Sequence, residues 1–154
     1  MESNTIFWKV KYGFFLRIIQ IGDMPVKYNS WGSISSIGYL NITYGFFGRI
    51  IQIGDMPVEY NFWGSISSIG YLNITYGFFG RIIEIGDMPI RYGFWGPVSI
   101  IGNMKITYGF FGRIIEITIP RVSAPVNGSL SPKQIAALIA IFVQNEKIKR
   151  RRRD

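Results

Sequence analysis

One tyrosine recurs every 16 residues, seven times in succession, and this spacing constrains the fold more than any other feature of the chain. The copies are Tyr12, Tyr28, Tyr44, Tyr60, Tyr76, Tyr92 and Tyr108. Each lies in the pattern [VI]-x-Y-[GN]-x-[FW]-[GL]-x-[IV]-x-x-I, which repeats from residue 10 to about residue 121. A short, regular period of this kind is typical of proteins built from copies of one small supersecondary unit.

Each unit is predicted to be a β-hairpin. Residues 42–44 alternate apolar, polar and apolar, which is the period of a half-buried strand. The loop that follows runs from Gly45 to Gly48, and a closing glycine suits a left-handed residue at the end of a short hairpin loop. Leu16 replaces that glycine in the first unit, so we expect the first loop to be distorted.

We therefore predict an all-β repeat protein. Its seven 16-residue units form an antiparallel β-hairpin meander or a coiled, solenoid-like sheet, followed by one C-terminal α-helix. The predicted divisions are a lead-in strand over 1–9, the repeats over 10–121, a linker over 122–130, an amphipathic helix over 131–150 and a basic tail over 151–154. In such a stack each unit buries its apolar face mainly against its neighbours.

A second period of 32 residues is superimposed on the first. Arginine follows the loop only in the odd units, and tryptophan stands in the loop only in the even units. These residues are Arg17, Arg49, Arg81 and Arg113, and Trp31, Trp63 and Trp95. Residues 42–57 and 74–89 differ at a single position, which indicates duplication of a two-unit block. Either the alternation also marks two faces of a coil, or it records duplication alone.

The spacing from Tyr44 through Gly48 to Arg49 resembles the core of the YD (RHS-type) repeats of bacterial surface and toxin proteins. The resemblance covers roughly residues 10–121 and is strongest in the odd units. It implies β-hairpins that spiral into an extended sheet. The aspartate that follows the tyrosine in that family is replaced here by glycine or asparagine, which can serve the same turn.

The C-terminal segment carries the start signals of a helix. Ser131 is a predicted N-cap, and Gln134 completes an S-x-x-Q capping box with Pro132 as the first helical residue. Apolar residues then follow at helical spacing, namely Ile135, Leu138, Ile139 and Phe142. We expect this stripe to pack on the sheet or to cover the open edge of the last unit. The alternatives are a partner-binding or self-associating helix and an interfacial membrane helix.

Positive charge is concentrated at the C-terminus. The net charge is +8, and residues 1–120 contain 9 Lys and Arg against 7 Asp and Glu, whereas residues 121–154 contain 8 against 2. Most of these cations form the run Lys147, Lys149, Arg150, Arg151, Arg152 and Arg153. Such a run could attract RNA or an acidic membrane through phosphate groups, or it could simply be solvated.

The loops are rich in aromatic residues. We expect the first loop aromatic to be exposed, because Ser30 takes that position in the second unit. This set comprises Phe14, Phe46, Phe62, Phe78, Phe94 and Phe110. The second loop aromatic, including Trp31 and Trp63, is predicted to belong to the core. The alternative is that the loop aromatics stack on sugars or bases.

The chain offers no recognisable catalytic constellation. It has no cysteine and no histidine, which removes thiolate ligands, the usual general base and the commonest metal ligand. The repeated Asp23, Asp55 and Asp87 are interpreted as turn residues. We therefore predict no catalytic, cofactor-binding or metal-binding residue, and a protein that is not an enzyme.

No membrane-spanning segment or signal peptide is predicted. The longest strictly apolar run covers residues 135–143, far shorter than the roughly 20 residues that span a bilayer. The N-terminus lacks a basic segment followed by an apolar one, so the default expectation is a cytoplasmic location.

These features favour a non-catalytic repeat scaffold that presents a regular β surface for protein contact or self-assembly. Two alternatives remain open: an anionic partner, RNA or acidic membrane, bound through the basic C-terminal helix, and carbohydrate bound by the loop aromatics.

Overall fold

The computed structural model is a closed barrel of fourteen antiparallel β-strands with one α-helix. It describes residues 5–94, 96–109, 112–120 and 130–153, with the side chains of the helix described as far as Asn145. Each strand pairs with the next along the chain, and the first pairs with the last. The antiparallel hairpin meander is confirmed. The open, solenoid-like sheet is wrong, because the sheet closes on itself.

Most strands contain four or five residues, and turns separate them at regular intervals. They are β1 (Thr5–Tyr12), β2 (Ile18–Ile21), β3 (Met24–Tyr28), β4 (Ile34–Ile37), β5 (Leu40–Tyr44), β6 (Ile50–Ile53), β7 (Met56–Tyr60), β8 (Ile66–Ile69), β9 (Leu72–Tyr76), β10 (Ile82–Ile85), β11 (Met88–Tyr92), β12 (Val98–Ile101), β13 (Met104–Tyr108) and β14 (Ile114–Pro120). The helix, α1, spans Pro132–Arg153.

Two-residue turns join the strands at one end of the barrel, which we call the turn end. Ile21 lies opposite Met24, so Gly22 and Asp23 form the turn between β2 and β3. Gly22 has a φ of +61°, whereas Asp23 is not among the residues with positive φ. This is the pattern of a type II′ turn, which takes glycine at its first central position.

Longer loops join the strands at the opposite end, which we call the loop end. The Gly45 N–H donates to the carbonyl oxygen of Arg49 at 2.8 Å, and the Gly48 N–H to that of Gly45 at 3.2 Å. Gly48 has a φ of +75°, as its position predicts. Leu16 takes this position in the first loop with a φ of +61° and the same hydrogen bonds, so the expected distortion is wrong. Its left-handed backbone costs an L-residue roughly 1–2 kcal/mol.

Each strand pair joined by one of these loops contains a β-bulge next to the loop. Tyr44 lies opposite Ile50, and Thr43 lies opposite Gln52, so Ile51 is an extra residue with no partner across the ladder. The bulge turns Ile51 and Gln52 both outward, while Ile50 is buried in the barrel. The position of Ile51 holds isoleucine in the odd units and serine in the even units, as at Ser67, so this 32-residue alternation affects the outer wall.

The tyrosines link each hairpin to the preceding one. The hydroxyl of each tyrosine of the 16-residue repeat donates to a backbone carbonyl oxygen ten residues earlier, except at the closure of the barrel. The acceptors for Tyr28, Tyr44, Tyr60, Tyr76, Tyr92 and Tyr108 are Ile18, Ile34, Ile50, Ile66, Ile82 and Val98. Tyr12 donates to Ile114 at 2.7 Å and so joins the first hairpin to the last. The sequence period becomes a continuous ring of hydrogen bonds.

The predicted lead-in strand closes the barrel. Residues 5–9 in β1 pair with residues 116–120 in β14, and residues 10–12 pair with β2. The Lys9 Nζ lies 2.5 Å from Glu116 Oε2 across this closure. Because β1 and β14 pair with each other, the last hairpin has no open edge for α1 to cover.

Helix α1 runs through the interior of the barrel. All seven residues from Ile135 to Ile141 are at most 5% exposed, so the helix is buried on every side over two turns. At the turn end, Lys133 Nζ lies 2.5 Å from Asp87 Oδ1. At the loop end, Gln144 Nε2 donates to the carbonyl oxygen of Gly80 at 2.9 Å. These two contacts place the helix axis along the barrel.

The buried helix follows from the width of the barrel. Side chains alone fill the interior of a barrel of about eight strands, so fourteen strands leave room for a further element. The predicted capping box is present, with Gln134 Oε1 accepting from the Ser131 N–H at 2.9 Å. The predicted stripe does pack on the sheet, on its inner face, but the helix is not amphipathic there, because Ala136, Ala137 and Ala140 are as buried as the larger residues. A helix that is apolar on all sides is typically buried on all sides.

Candidate binding site at the loop end

The first aromatic of each described loop projects into solvent, as the sequence predicts. Phe14, Phe46, Phe62, Phe78 and Phe94 are 91–94% exposed. Phe110 lies outside the described residues. These side chains contribute nothing to the core of the barrel.

The second aromatic of each described loop is exposed as well, and its predicted place in the core is wrong. Trp31 is 90% and Trp63 77% exposed, and Phe15, Phe47 and Phe79 are 93–96% exposed. Positive φ values of 62–70° at these three phenylalanines turn the chain at the tip of the loop, away from the barrel. The interior is filled instead by α1 and by aliphatic side chains.

We call these exposed residues the aromatic crown: Phe14, Phe15, Trp31, Phe46, Phe47, Phe62, Trp63, Phe78, Phe79 and Phe94. Neighbouring rings within a loop touch, with centroids 5.9 Å apart for Phe46 and Phe47 and 5.6 Å apart for Phe62 and Trp63. Many large apolar side chains exposed at one end of a protein usually mark a surface that contacts another molecule or a membrane.

A layer of arginines lies next to the crown. The guanidinium carbon of Arg17 lies 4.2 Å from the ring centre of Tyr28, and Arg49 and Arg81 stack in the same way on the tyrosine of the next unit. These are cation–π contacts, and they keep the guanidinium groups beside the tyrosine ring. The odd–even alternation thus runs around a single ring and does not separate two faces.

The arginines of this layer are not paired with a carboxylate of the described residues. Neither of the two ion pairs between described residues involves Arg17, Arg49 or Arg81. The tyrosines beneath them stay neutral, because burial raises the pKa of Tyr28 and Tyr60 more than the adjacent guanidinium lowers it. Burial also raises the pKa of Tyr76 to about 12. The described part of the loop end therefore presents aromatic rings next to arginines that form no ion pair.

The basic C-terminal run extends from the same end of the barrel. Gln144 lies at the level of the Gly80 loop, and α1 continues for nine further residues to Arg153. At 1.5 Å per residue this is roughly 13 Å of helix beyond the loop. The helical positions of Lys147, Lys149, Arg150, Arg151, Arg152 and Arg153 all fall in this segment. Their side chains lie outside the described residues.

The predicted partner-binding stripe on α1 is not available at the surface. Ile135, Leu138 and Ile139 are at most 4% exposed inside the barrel, and Phe142 is half-buried at the loop end. The burial on all sides accounts for this, since the wall of the barrel surrounds the helix.

The turn end has a different character. Its turns carry Asp23, Asp55, Asp87 and Asn103, together with the exposed Tyr39 and Tyr71. A hydrogen bond from Lys133 lowers the pKa of Asp87 below its usual value. No group of three or more potential metal-ligating side chains occurs among the described residues.

Comparison with protein-family models, curated proteins and solved structures gave no match. The resemblance to YD repeats therefore depends on the tyrosine, glycine and arginine of the motif alone. Within the part of the chain that the structure describes, no helix is long and apolar enough to span a membrane.

Proposed function

We propose that the protein is a non-catalytic binding module that docks onto anionic membrane surfaces with the aromatic crown. The observation that carries this proposal is the position of the exposed aromatics on the same end of the barrel as three arginines that form no ion pair with described residues. Aromatic and basic residues together favour the headgroup region of an anionic bilayer, where rings enter the interface and cations meet phosphate.

The shape of the loop end supports contact with an extended surface. The loops project as a ring around the axis of the barrel, so several of them can reach a flat surface together. Arg17, Arg49 and Arg81 lie next to the loops, and the basic run of α1 extends from the same end of the barrel. Each cation near an anionic lipid surface contributes about 1 kcal/mol.

Other partners fit the loop end less well. Two crowns packed face to face would bring two sets of cations together, which opposes self-association through this surface. Neighbouring rings are inclined by 54–88° to one another, so a loop pair does not form a common platform for stacked bases or sugars.

Vesicle co-sedimentation of the full chain tests the proposal. We expect binding to phosphatidylcholine vesicles that contain phosphatidylserine, and weak binding to phosphatidylcholine alone. The variant F46S/F47S/F62S/W63S removes two loop pairs from solvent-exposed positions and should lose at least roughly tenfold in affinity, or about 1.4 kcal/mol. Its fold should be unchanged by circular dichroism, because all four side chains are at least 77% exposed.

The turn end supplies the matched control. Tyr39 and Tyr71 are 58% and 78% exposed, so Y39S/Y71S removes exposed aromatics from the opposite end and should leave vesicle binding unchanged. Equal binding by the crown variant and the wild type contradicts the proposal. Crown-dependent binding of an RNA oligonucleotide or a glycan in place of vesicles would also overturn it.

A further inference from the structure

A cavity of about 450 Å³ lies between α1 and the wall formed by β4–β7. Its wall includes Ile42 and Ile50, and its inner side is formed by Ile139 and Phe142 of the helix. Ser33 and Arg49 line it at the loop end. This volume falls within the range of small-molecule sites in proteins, which is about 300–1,000 Å³.

The cavity exists because α1 is off-centre. The first residue of each even-numbered strand from β4 to β12 faces the interior, and its exposed fraction shows how closely the helix covers that part of the wall. Ile82 on β10 is 1% exposed, Ile66 and Val98 on either side are 3% exposed, and Ile50 is 8% exposed. Ile34 is only half-buried. The helix therefore lies closer to β10 than to β4–β6. The hydrogen bond from Gln144 to Gly80, in the loop before β10, is on the same side.

The chemistry of the cavity changes from its interior to its mouth. Aliphatic and aromatic carbon lines the interior, and a cavity of that kind favours an apolar guest over ordered water. At the mouth stand the Ser33 hydroxyl group and the exposed guanidinium of Arg49, whose carbon lies 4.0 Å from the ring centre of Tyr60. Arg49 takes part in neither ion pair of the described residues, so it is available to an anionic group.

We propose that this cavity binds the chain of a single-chain anionic amphiphile, a long-chain fatty acid carboxylate or its close chemical equivalent, with the anionic head on Arg49. The apolar interior takes the hydrocarbon chain, and the guanidinium meets the head group in a charge-assisted hydrogen bond. This binding site is separate from the exposed rings of the crown, so the inference does not depend on membrane docking.

The repeat supplies a close internal control. Arg81 occupies the same repeat position as Arg49 and stacks on Tyr92 with a distance of 3.9 Å. The wall beneath Arg81 is covered by α1, since Ile82 is 1% exposed. The two arginines thus differ mainly in whether an apolar cavity adjoins them.

Isothermal titration calorimetry of the full chain with sodium oleate tests the proposal. We expect one oleate per chain. R49M should weaken binding by roughly tenfold, the loss of about one charged hydrogen bond, whereas R81M should leave it unchanged. V143F replaces an isopropyl group that lines the cavity with a larger aromatic ring and should abolish oleate binding.

Several outcomes would overturn the cavity site. These are the absence of one-to-one oleate binding, an equal loss in R49M and R81M, or full binding by V143F in a variant with normal circular dichroism. Vesicle co-sedimentation of V143F should match the wild type, so failure of the cavity and failure of membrane docking are distinguishable. Binding is measured with oleate free in solution and with oleate in phosphatidylcholine vesicles. The comparison shows whether the protein takes the fatty acid from solution or from a bilayer.

Discussion

The two ends of the barrel are made by the same repeat, yet the fold constrains them very differently. At the turn end, a Cβ added to Gly54 would lie 2.7 Å from the Leu40 side chain, so the glycine is required by packing as well as by its φ of +59°. At the loop end, a Cβ added to Gly48 would meet nothing within 4 Å. Packing thus constrains the turn, whereas the tip of the loop is free of such contacts. Only at the base of the loop, where a Cβ added to Gly45 would lie 2.8 Å from Ile51, does packing constrain a loop glycine.

Packing does not explain which residues are found at the tips of the loops. Aromatic side chains at a position without packing constraints do not serve the core, and their exposure to water is unfavourable. Ten of them nevertheless project from the described loops. The proposed recognition role therefore falls on the exposed tips of the loops, which packing leaves unconstrained.

The two ends should respond to opposite extremes of pH, and the response to alkali is expected to be the larger. Unfolded tyrosines lose their protons near pH 10, whereas burial raises the pKa of Tyr76 and Tyr108 to about 12. The folded state therefore binds more protons, and stability should fall as pH rises from 10 to 12. Urea unfolding at several alkaline pH values measures this slope.

The double variant Y76F/Y108F provides the control for that measurement. It should be less stable at neutral pH, because each lost hydroxyl removes a hydrogen bond worth about 0.5–1.5 kcal/mol. Its stability should fall less steeply in alkali than that of the wild type. An unchanged slope would mean that these hydroxyls do not report on folding.

A matched pair of glycine variants gives the next largest effect. Gly86 at the turn end has a φ of +58°, and a Cβ there would lie 2.7 Å from Leu72, whereas Gly80 at the loop end has a φ of +76° and open space. G80A should cost about 1 kcal/mol from backbone strain alone. G86A should cost about 2–4 kcal/mol, because overpacking is added. Equal losses in thermal or urea unfolding would remove the proposed difference between the ends.

The smallest effect is expected at the ion pair between α1 and the turn end. The hydrogen bond from Lys133 lowers the pKa of Asp87, so the pair stabilises the fold above the usual aspartate pKa, and this contribution is lost as pH falls through the lowered value. K133M should be slightly less stable than the wild type at neutral pH and equal to it in strong acid. A difference that persists in acid would assign the effect to helix packing instead of charge.

Local features were predictable from the sequence because they depend on neighbouring residues. The strands and glycine turns follow from short patterns, and so does the capping box at Ser131. The exposure of the first loop aromatic followed from Ser30 at the same position. The second aromatic was misjudged, because an aromatic residue usually needs burial, and the positive φ at Phe47 is not evident from sequence alone.

Closure of the barrel and the place of α1 depend on the whole chain. Strand twist, accumulated over fourteen strands, decides whether β1 reaches β14, and no single hairpin contains that information. Burial of α1 on every side did have a sequence signal, since residues 135–143 are apolar without interruption. The three alanines of this run carry the signal, because they extend the apolar surface around the helix beyond the stripe of larger residues.

The closing hydrogen bond of the tyrosine ring has a consequence in terms of parity. Odd and even units cannot alternate strictly around a ring of seven, so two units of the same kind must be neighbours at one place. This fault lies where the first and seventh units meet, at the hydrogen bond from Tyr12 to Ile114. Arg113 lies 5.6 Å from the Tyr12 ring centre at this fault, compared with 3.9–4.2 Å elsewhere. Growth by two-unit blocks preserves the parity, so further duplication would enlarge the ring without ever removing the fault.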